Sequence, residues 1–312
     1  MRAKLAIGLI VFVSLVWLRA PITEQPQVTH PFAGITHIVR VDASPRPVRM
    51  HIVQIDLSTP GLRFALSAPS GSREVVRETT AAFLTRQHAQ VAINGHFFLP
   101  FPSTDTEAWV IGLAASEGRV FSAFETPAQS YALVADAPAL NIDKQNRASI
   151  VHRDSTKPDG LHVIESVELW TTVAGAAQIV ADGAVTIPVY KDEQHPNGVL
   201  TPGGPRNYSN ANSWYDVVTA RSAIGLSQDT RTLTLFTVDA GGGSNGMRVS
   251  EVAALLVKDY GVWNALNLDG GGSTSLAMAD PATGAVSLIN TSSDNPAGRS
   301  VGSSLAVYAR AR

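Results

Sequence analysis

A chain of 312 residues without a single cysteine can hold neither disulfides, thiolate metal sites nor a cysteine nucleophile, and at this length it can bury a core without such staples. Hydrophobic residues make up 45% and charged ones only 16%, against roughly 25% charged in typical soluble domains. The formal charge of -2 leaves no basic face for a nucleic-acid backbone, which removes nucleic acid from the partners.

The N-terminus has the form of a targeting segment, with Arg2 and Lys4 ahead of an apolar run from Leu5 to Leu18. Those residues would reach only about 21 Å as a helix, short of the ~30 Å hydrocarbon thickness of a bilayer. Residues 1–20 are therefore expected to be a secretory signal or, uncleaved, a short anchor and the only link to a membrane. The expected location is periplasmic or extracellular. Residues 21–35 carry three prolines and no apolar period, which predicts a linker, with the folded domain spanning 36–312.

Val48 to Leu57 alternates apolar and polar side chains, and Leu62 to Leu66 follows Pro60-Gly61, which predicts a hairpin. The spacing of Val75, Val76, Thr79 and Phe83 predicts a helix from Ser72 to about His88. A short strand, Val91 to Ile93, then ends in Asn94-Gly95-His96-Phe97-Phe98. Glu117-Gly118 and Asp182-Gly183 are turn pairs that accept positive φ, and each predicts two flanking strands within Ile111–Ser122 and Gln178–Val189. Near the C-terminus come a strand at Leu233–Val238, a helix from about Ser250 to Tyr260 capped by Gly261, and a strand at Trp263–Leu268. Leu305 to Tyr308 adds a last strand. The sum is an α+β fold: a single domain with a mixed, largely antiparallel sheet and one C-terminal β-α-β unit.

Two carboxylates occupy matching places, Asp239 after the first strand of that unit and Asp269 after the second, and each precedes three glycines, Gly241–Gly243 and Gly270–Gly272. A parallel crossover would bring both acids to one sheet edge, where ligands of open α/β sheets bind. Glycines there let backbone approach a ligand, and successive N–H groups can form an anion nest. For one isolated Asp-Gly a plain turn explains the sequence; two triple-glycine runs beside buried strands point to a ligand. Gly242-Gly243-Ser244-Asn245-Gly246 also fits the serine-hydrolase elbow, but all eight histidines precede it, so the Ser, acid, His order cannot be met. Gly241, Gly243 and Gly246 fit a dinucleotide fingerprint as well, without room for a second mononucleotide half. Taken singly, His96, Arg221 and Arg299 read as readily as satisfied core or ion-paired residues.

The segments VAINGHFF (91–98), IGLAASEGRVFS, AQIVADGAV, TARSAIGLSQDTRTLTLFTVDA, LNLDGGGSTSLAM (266–278) and RSVGSSLAVY together resemble the phosphodiester glycosidase family over roughly residues 50–308. The resemblance implies hydrolysis of the bond between a sugar's anomeric carbon and a phosphodiester, on an N-acetylglucosamine-1-phosphodiester-like substrate in the cell envelope. It also implies that Asn94, Arg221, Asp239, Asp269, Gly270, Gly271, Ser273, Thr274 and Arg299 line the site. Asp269 and Asp239 are then the expected catalytic acids, the first stabilising or attacking the oxocarbenium-like carbon, the second holding hydroxyls or activating water. Arg221 and Arg299 are expected to neutralise the phosphate, the N–H groups from Gly270 through Gly272 to Ser273, with the Ser273 and Thr274 hydroxyls, to bind its other oxygens, and Asn94 and His96 to position the sugar. No cofactor is required by this scheme, although the aspartates, Asn94 and the glycine carbonyls would also suit a divalent cation. Two departures stand out: His96 where the family usually has a second glycine, and three glycines after Asp239 where it has one or two. A non-catalytic module for envelope glycans or glycosyl phosphates would keep the arginines and glycines but needs no reactive acid.

Overall fold

The computed structural model describes residues 25–124 and 131–312; the signal-like segment expected at 1–20 lies outside the described residues. An eight-stranded sheet forms the backbone of the fold, in the order Gln27–Phe32, Ile35–Asp42, Val48–Asp56, Thr232–Val238, Arg221–Ser227, Val262–Asn267, Ala177–Ala181 and Ala184–Val185. Every pairing within it is antiparallel. Two five-stranded sheets accompany it, with two smaller ones of two and three strands. One five-stranded sheet runs Arg119–Ser122, Ala114–Ser116, Thr171–Ala174, Ala139–Ile142, Ala148–Val151; the other runs Val286–Leu288, Leu276–Ala279, Val91–Asn94, Ser304–Tyr308, Arg63–Leu66. Among the described residues no helix is long and apolar enough to cross a membrane.

Strand alternation divides the core between the two faces of the large sheet. From Thr232–Val238, Leu233 and Leu235 join Val53, Ile55 and Ile224 in a cluster shared with both five-stranded sheets. Phe236 and Val238 point the other way, onto Val249, Val252, Ala253 and Leu256 of the helix Val249–Tyr260. That helix starts with Glu251 accepting a hydrogen bond from the Arg248 N–H at 2.7 Å and ends at Gly261, whose φ of 65° permits the left-handed cap.

Several expectations give way. Gln27–Phe32 is an edge strand paired with Ile35–Asp42, not a linker. Val48–Asp56 and Arg63–Leu66 do not form a hairpin: the first pairs inside the large sheet, the second with Ser304–Tyr308. The helix expected from Ser72 is confined to Thr80–Gln87, because Val75–Val76 and Glu78–Thr79 are strands and Thr79 is the residue whose hydroxyl accepts from Ala82 N–H at 3.1 Å. The Glu117-Gly118 and Asp182-Gly183 turns do occur, with φ of 51° and 81° and of 50° and 76°.

The C-terminal strand, helix and strand follow each other as expected, yet Arg221–Ser227 lies between the two strands and pairs antiparallel with both. Thr232–Val238 and Val262–Asn267 thus run in the same direction without touching. Their C-terminal ends, followed by Asp239 and Asp269, share one sheet edge with Arg221, the first residue of the strand between them.

Candidate active site

At that edge lies a cavity of about 400 Å³ whose floor is Asp269, Gly270, Gly271 and Gly272, with Arg299 beside them. The floor is held down from two sides. Gly271 N–H donates to the Ala220 carbonyl at 2.8 Å, and Asp269 N–H donates to the Gly95 carbonyl at 3.1 Å. Asn94 is the knot beneath: its Nδ2 donates to the Asp269 carbonyl at 2.6 Å, and its Oδ1 accepts from the Ser222 hydroxyl at 2.7 Å and from Ser275 N–H at 3.0 Å. A fully buried amide with all these partners positions the loop rather than a ligand.

Asp269 is nearly buried, and burial pushes its carboxyl up to about 7; a hydrogen bond from Ser273, the charge of Arg299 and the Gly270 N–H oppose the shift only in part. Arg299 reaches the same hydroxyl, Nη1 donating to Ser273 Oγ at 3.3 Å, while its Nε is held by Asp294 at 2.8 Å. A side chain on Gly272 would overlap this guanidinium. The buried Ser273 hydroxyl therefore links the carboxyl to the guanidinium, and both of these line the cavity.

Other expected site residues stand away from the cavity. The Arg221 guanidinium, fully buried, does not reach it: Nε donates to the Met247 carbonyl at 3.2 Å and Nη2 to the carbonyls of Val217 and Trp214. Burial lowers its pKa to about 10, so it keeps its charge. It stacks 4.7 Å from the Trp214 ring, and Trp214 lines the cavity. It is a strut behind the wall. His96 is likewise enclosed: Nε2 lies 2.9 Å from the Ala174 N–H and 3.1 Å from the Leu113 carbonyl, Nδ1 meets Ser303 Oγ at 2.8 Å, and burial drops its pKa to about 4. Thr274 is buried with its hydroxyl unpartnered, off the cavity wall.

Asp239 is also absent from the wall. Its carboxylate is fully buried with neither oxygen in a hydrogen bond. Asn290 and Thr291 stand near it, short of good hydrogen-bond geometry, and with Arg49 they only soften the effect of burial, which raises its pKa to about 6. The serine of the apparent hydrolase elbow is structural: Ser244 Oγ donates to the Asp239 carbonyl at 2.6 Å and accepts from Arg49 N–H at 2.9 Å. Of the oxygens considered for a divalent cation, Asn94 Oδ1 is occupied by Ser222 and Ser275. Among the described residues no three His, Asp or Glu side chains gather as a metal would require.

Much of the wall carries no signal in the sequence. Trp214 is carried by a short 3-10 turn, Trp214–Asp216; Tyr131 and Tyr208 stack at 5.8 Å; Phe97, Phe98, Phe101, Ile111, Leu133, Arg206 and Thr219 complete it. Only the SWYD aromatic pair in a polar loop hinted at it.

A family model described as phosphodiester glycosidase matches residues 87–308, a span that holds every wall residue. No curated protein sequence matches. Among solved structures, the catalytic domain of zebrafish N-acetylglucosamine-1-phosphodiester alpha-N-acetylglucosaminidase, auto-inhibited by its pro-peptide, is similar at 19% identity with a TM-score of 0.58, over 93% of this chain and 89% of that one. A hypothetical protein from Synechocystis is similar at 16% identity with a TM-score of 0.62; 93% of this chain is covered, and it spans 64% of that protein. A protein from Burkholderia pseudomallei K96243 is similar at 17% identity with a TM-score of 0.54, over 89% of this chain and 76% of that one. At such identities the structural likeness is one of fold.

Proposed function

We propose, from the premise that this chain belongs to the phosphodiester glycosidase family, that it hydrolyses the bond between an anomeric carbon and a phosphodiester. The observation that carries the reading is Asp269 and Arg299 on the wall of one cavity, linked through the buried Ser273 hydroxyl. A phosphodiester is a weak base and leaves with little help from a general acid, so one carboxylate at the reacting carbon can suffice where ordinary glycosides need two. Asp269, ionised, stabilises or attacks the oxocarbenium-like centre. Arg299 takes the charge of the departing phosphate, and the N–H groups of the glycine floor support its oxygens. The substrate would be an N-acetylglucosamine-1-phosphodiester or a related glycosyl phosphate of the cell envelope, met outside the cytoplasm if the N-terminal segment directs export.

Release of reducing sugar from N-acetylglucosamine-1-phosphodiesters tests this directly, and Asp269→Asn should lower kcat by at least ~10³ if the carboxylate acts at the reacting carbon. One observation favours a binding module instead: among the described residues a single carboxylate, not a pair, lines the cavity. Saturable binding of glycosyl phosphates without turnover would decide for that module.

A further inference from the structure

The cavity has two chemically different sides, and Arg299 stands at their border. One face of its guanidinium lies 4.9 Å from the Phe101 ring, while Nη1 turns toward Ser273 and the glycine floor. Phe101 meets Phe98 edge to face at 5.8 Å. Neither side chain can hydrogen-bond. The other side is built from aromatics with polar tips, Tyr131, Tyr208 and Trp214, packed with Phe97, Ile111 and Leu133.

A sugar brought against Phe98 and Phe101 would lose water from its hydroxyls without replacement, whereas the Tyr131, Tyr208 and Trp214 side offers stacking surfaces and donors. With the anomeric carbon at Asp269 and the phosphate on Arg299, the sugar therefore occupies the tyrosine side. The second ester oxygen of the phosphate then leads past Arg299 onto Phe101.

Resting on the glycosidase reading above, we propose that the alcohol esterified to the phosphate is apolar: the substrate is a sugar 1-phosphodiester of an aryl or alkyl alcohol. Water adds its oxygen to the anomeric carbon, the bond from that carbon to the phosphate oxygen breaks with its electron pair going to the phosphate, and the water proton is released. The products are the free sugar and the phosphate monoester of the apolar alcohol. Phe101, 40% exposed, leaves the alcohol's far end a way out of the cavity, so a long chain fits as well as a ring.

The test uses the purified full chain and three matched diesters of N-acetylglucosamine 1-phosphate: methyl, benzyl and octyl, the last below micelle-forming concentration. The kcat/KM for the benzyl or the octyl ester should exceed that for the methyl ester at least tenfold. Phe101→Ser, an exposed position that leaves the core intact, should bring that ratio below about threefold. A benzyl preference assigns the subsite to aromatic alcohols, an octyl preference to aliphatic chains. Equal kcat/KM for all three esters overturns the apolar aglycone while leaving the hydrolase reading standing. Neither turnover nor binding of any of them removes that reading, and the proposal with it.

Discussion

The two aspartates that look equivalent in the sequence differ because of what surrounds each carboxyl. Asp269 opens on a cavity and shares Ser273 with Arg299, and its pKa is raised to about 7. As the group that must be ionised at the reacting carbon, it should make kcat/KM rise with pH through about 7 and level off above it. Stopped assays across pH 5 to 9 read this, and a profile flat through neutrality would take the role from Asp269. Asp239 has no cavity and no hydrogen-bond partner for either oxygen. Its folded pKa of about 6 lies above the value near 3.8 of a free carboxyl, so the folded state holds its proton more tightly. The folded protein gains stability below the unfolded value and loses it as pH rises through 6. Asp239→Asn removes the ionisation, and at pH 8 it should stabilise the fold by on the order of 3 kcal/mol relative to its effect at pH 4. Urea unfolding at both values checks it, and a pH-independent difference would mean that the carboxylate is not desolvated.

At the scale of elements, strand periodicity and turn chemistry could be read in advance, and partner choice could not. The Asp182-Gly183 turn is dictated by residues that tolerate positive φ, a local matter. Arg63–Leu66 pairs with Ser304–Tyr308, far along the chain, and no pattern within either strand announces the other. The same limit hid the work of Arg221. A strand arginine beside two acids reads as a phosphate ligand, but the 3-10 turn Trp214–Asp216 and the Val217 that follows it fold over it and take the donors of Nη2. Arg221→Met leaves those carbonyls and that of Met247 without their donor, and should cost roughly 3 kcal/mol. Trp214 should loosen with it, visible as a red shift of tryptophan fluorescence and a raised KM before any change in kcat. The glycine loop behaves as one piece too. An added methyl at Gly272 would push the Arg299 guanidinium off Ser273, so Gly272→Ala should lower kcat/KM at least tenfold while the melting temperature moves by only a few degrees.

Across the whole molecule, the expectation that both acids reach one sheet edge survived a change of topology. A parallel neighbour pair would have produced it; an antiparallel strand wedged between two co-directional ones produces it equally, because only strand direction decides which edge the ends reach. What the sequence could not show is that a shared edge has two sides, with Asp239 and Arg221 below the wall and Asp269 on it. The same burial sets how stability should vary with pH. His51 and His96 are buried, with pKa lowered to about 3 and about 4, and His37, stacked on His51 at 5.5 Å, is lowered too. These groups bind protons more readily when unfolded, so their contribution is complete above about 6.5 and is lost as pH falls toward the folded values. Asp239 and Asp269 act in the opposite sense, losing their contribution as pH rises to 6 and 7. Between about pH 4 and 6 the two carboxylates and the histidines nearly cancel, and the combined contribution should peak close to pH 6.5. Replacing His51, whose Nε2 has no partner, by Phe removes one rising slope. His51→Phe should then lose stability steadily from pH 4 to 6, where the parent stays level, in denaturant titrations at fixed salt. A parent curve that falls steeply below pH 6 while the variant does not would mean that the histidines outweigh the carboxylates.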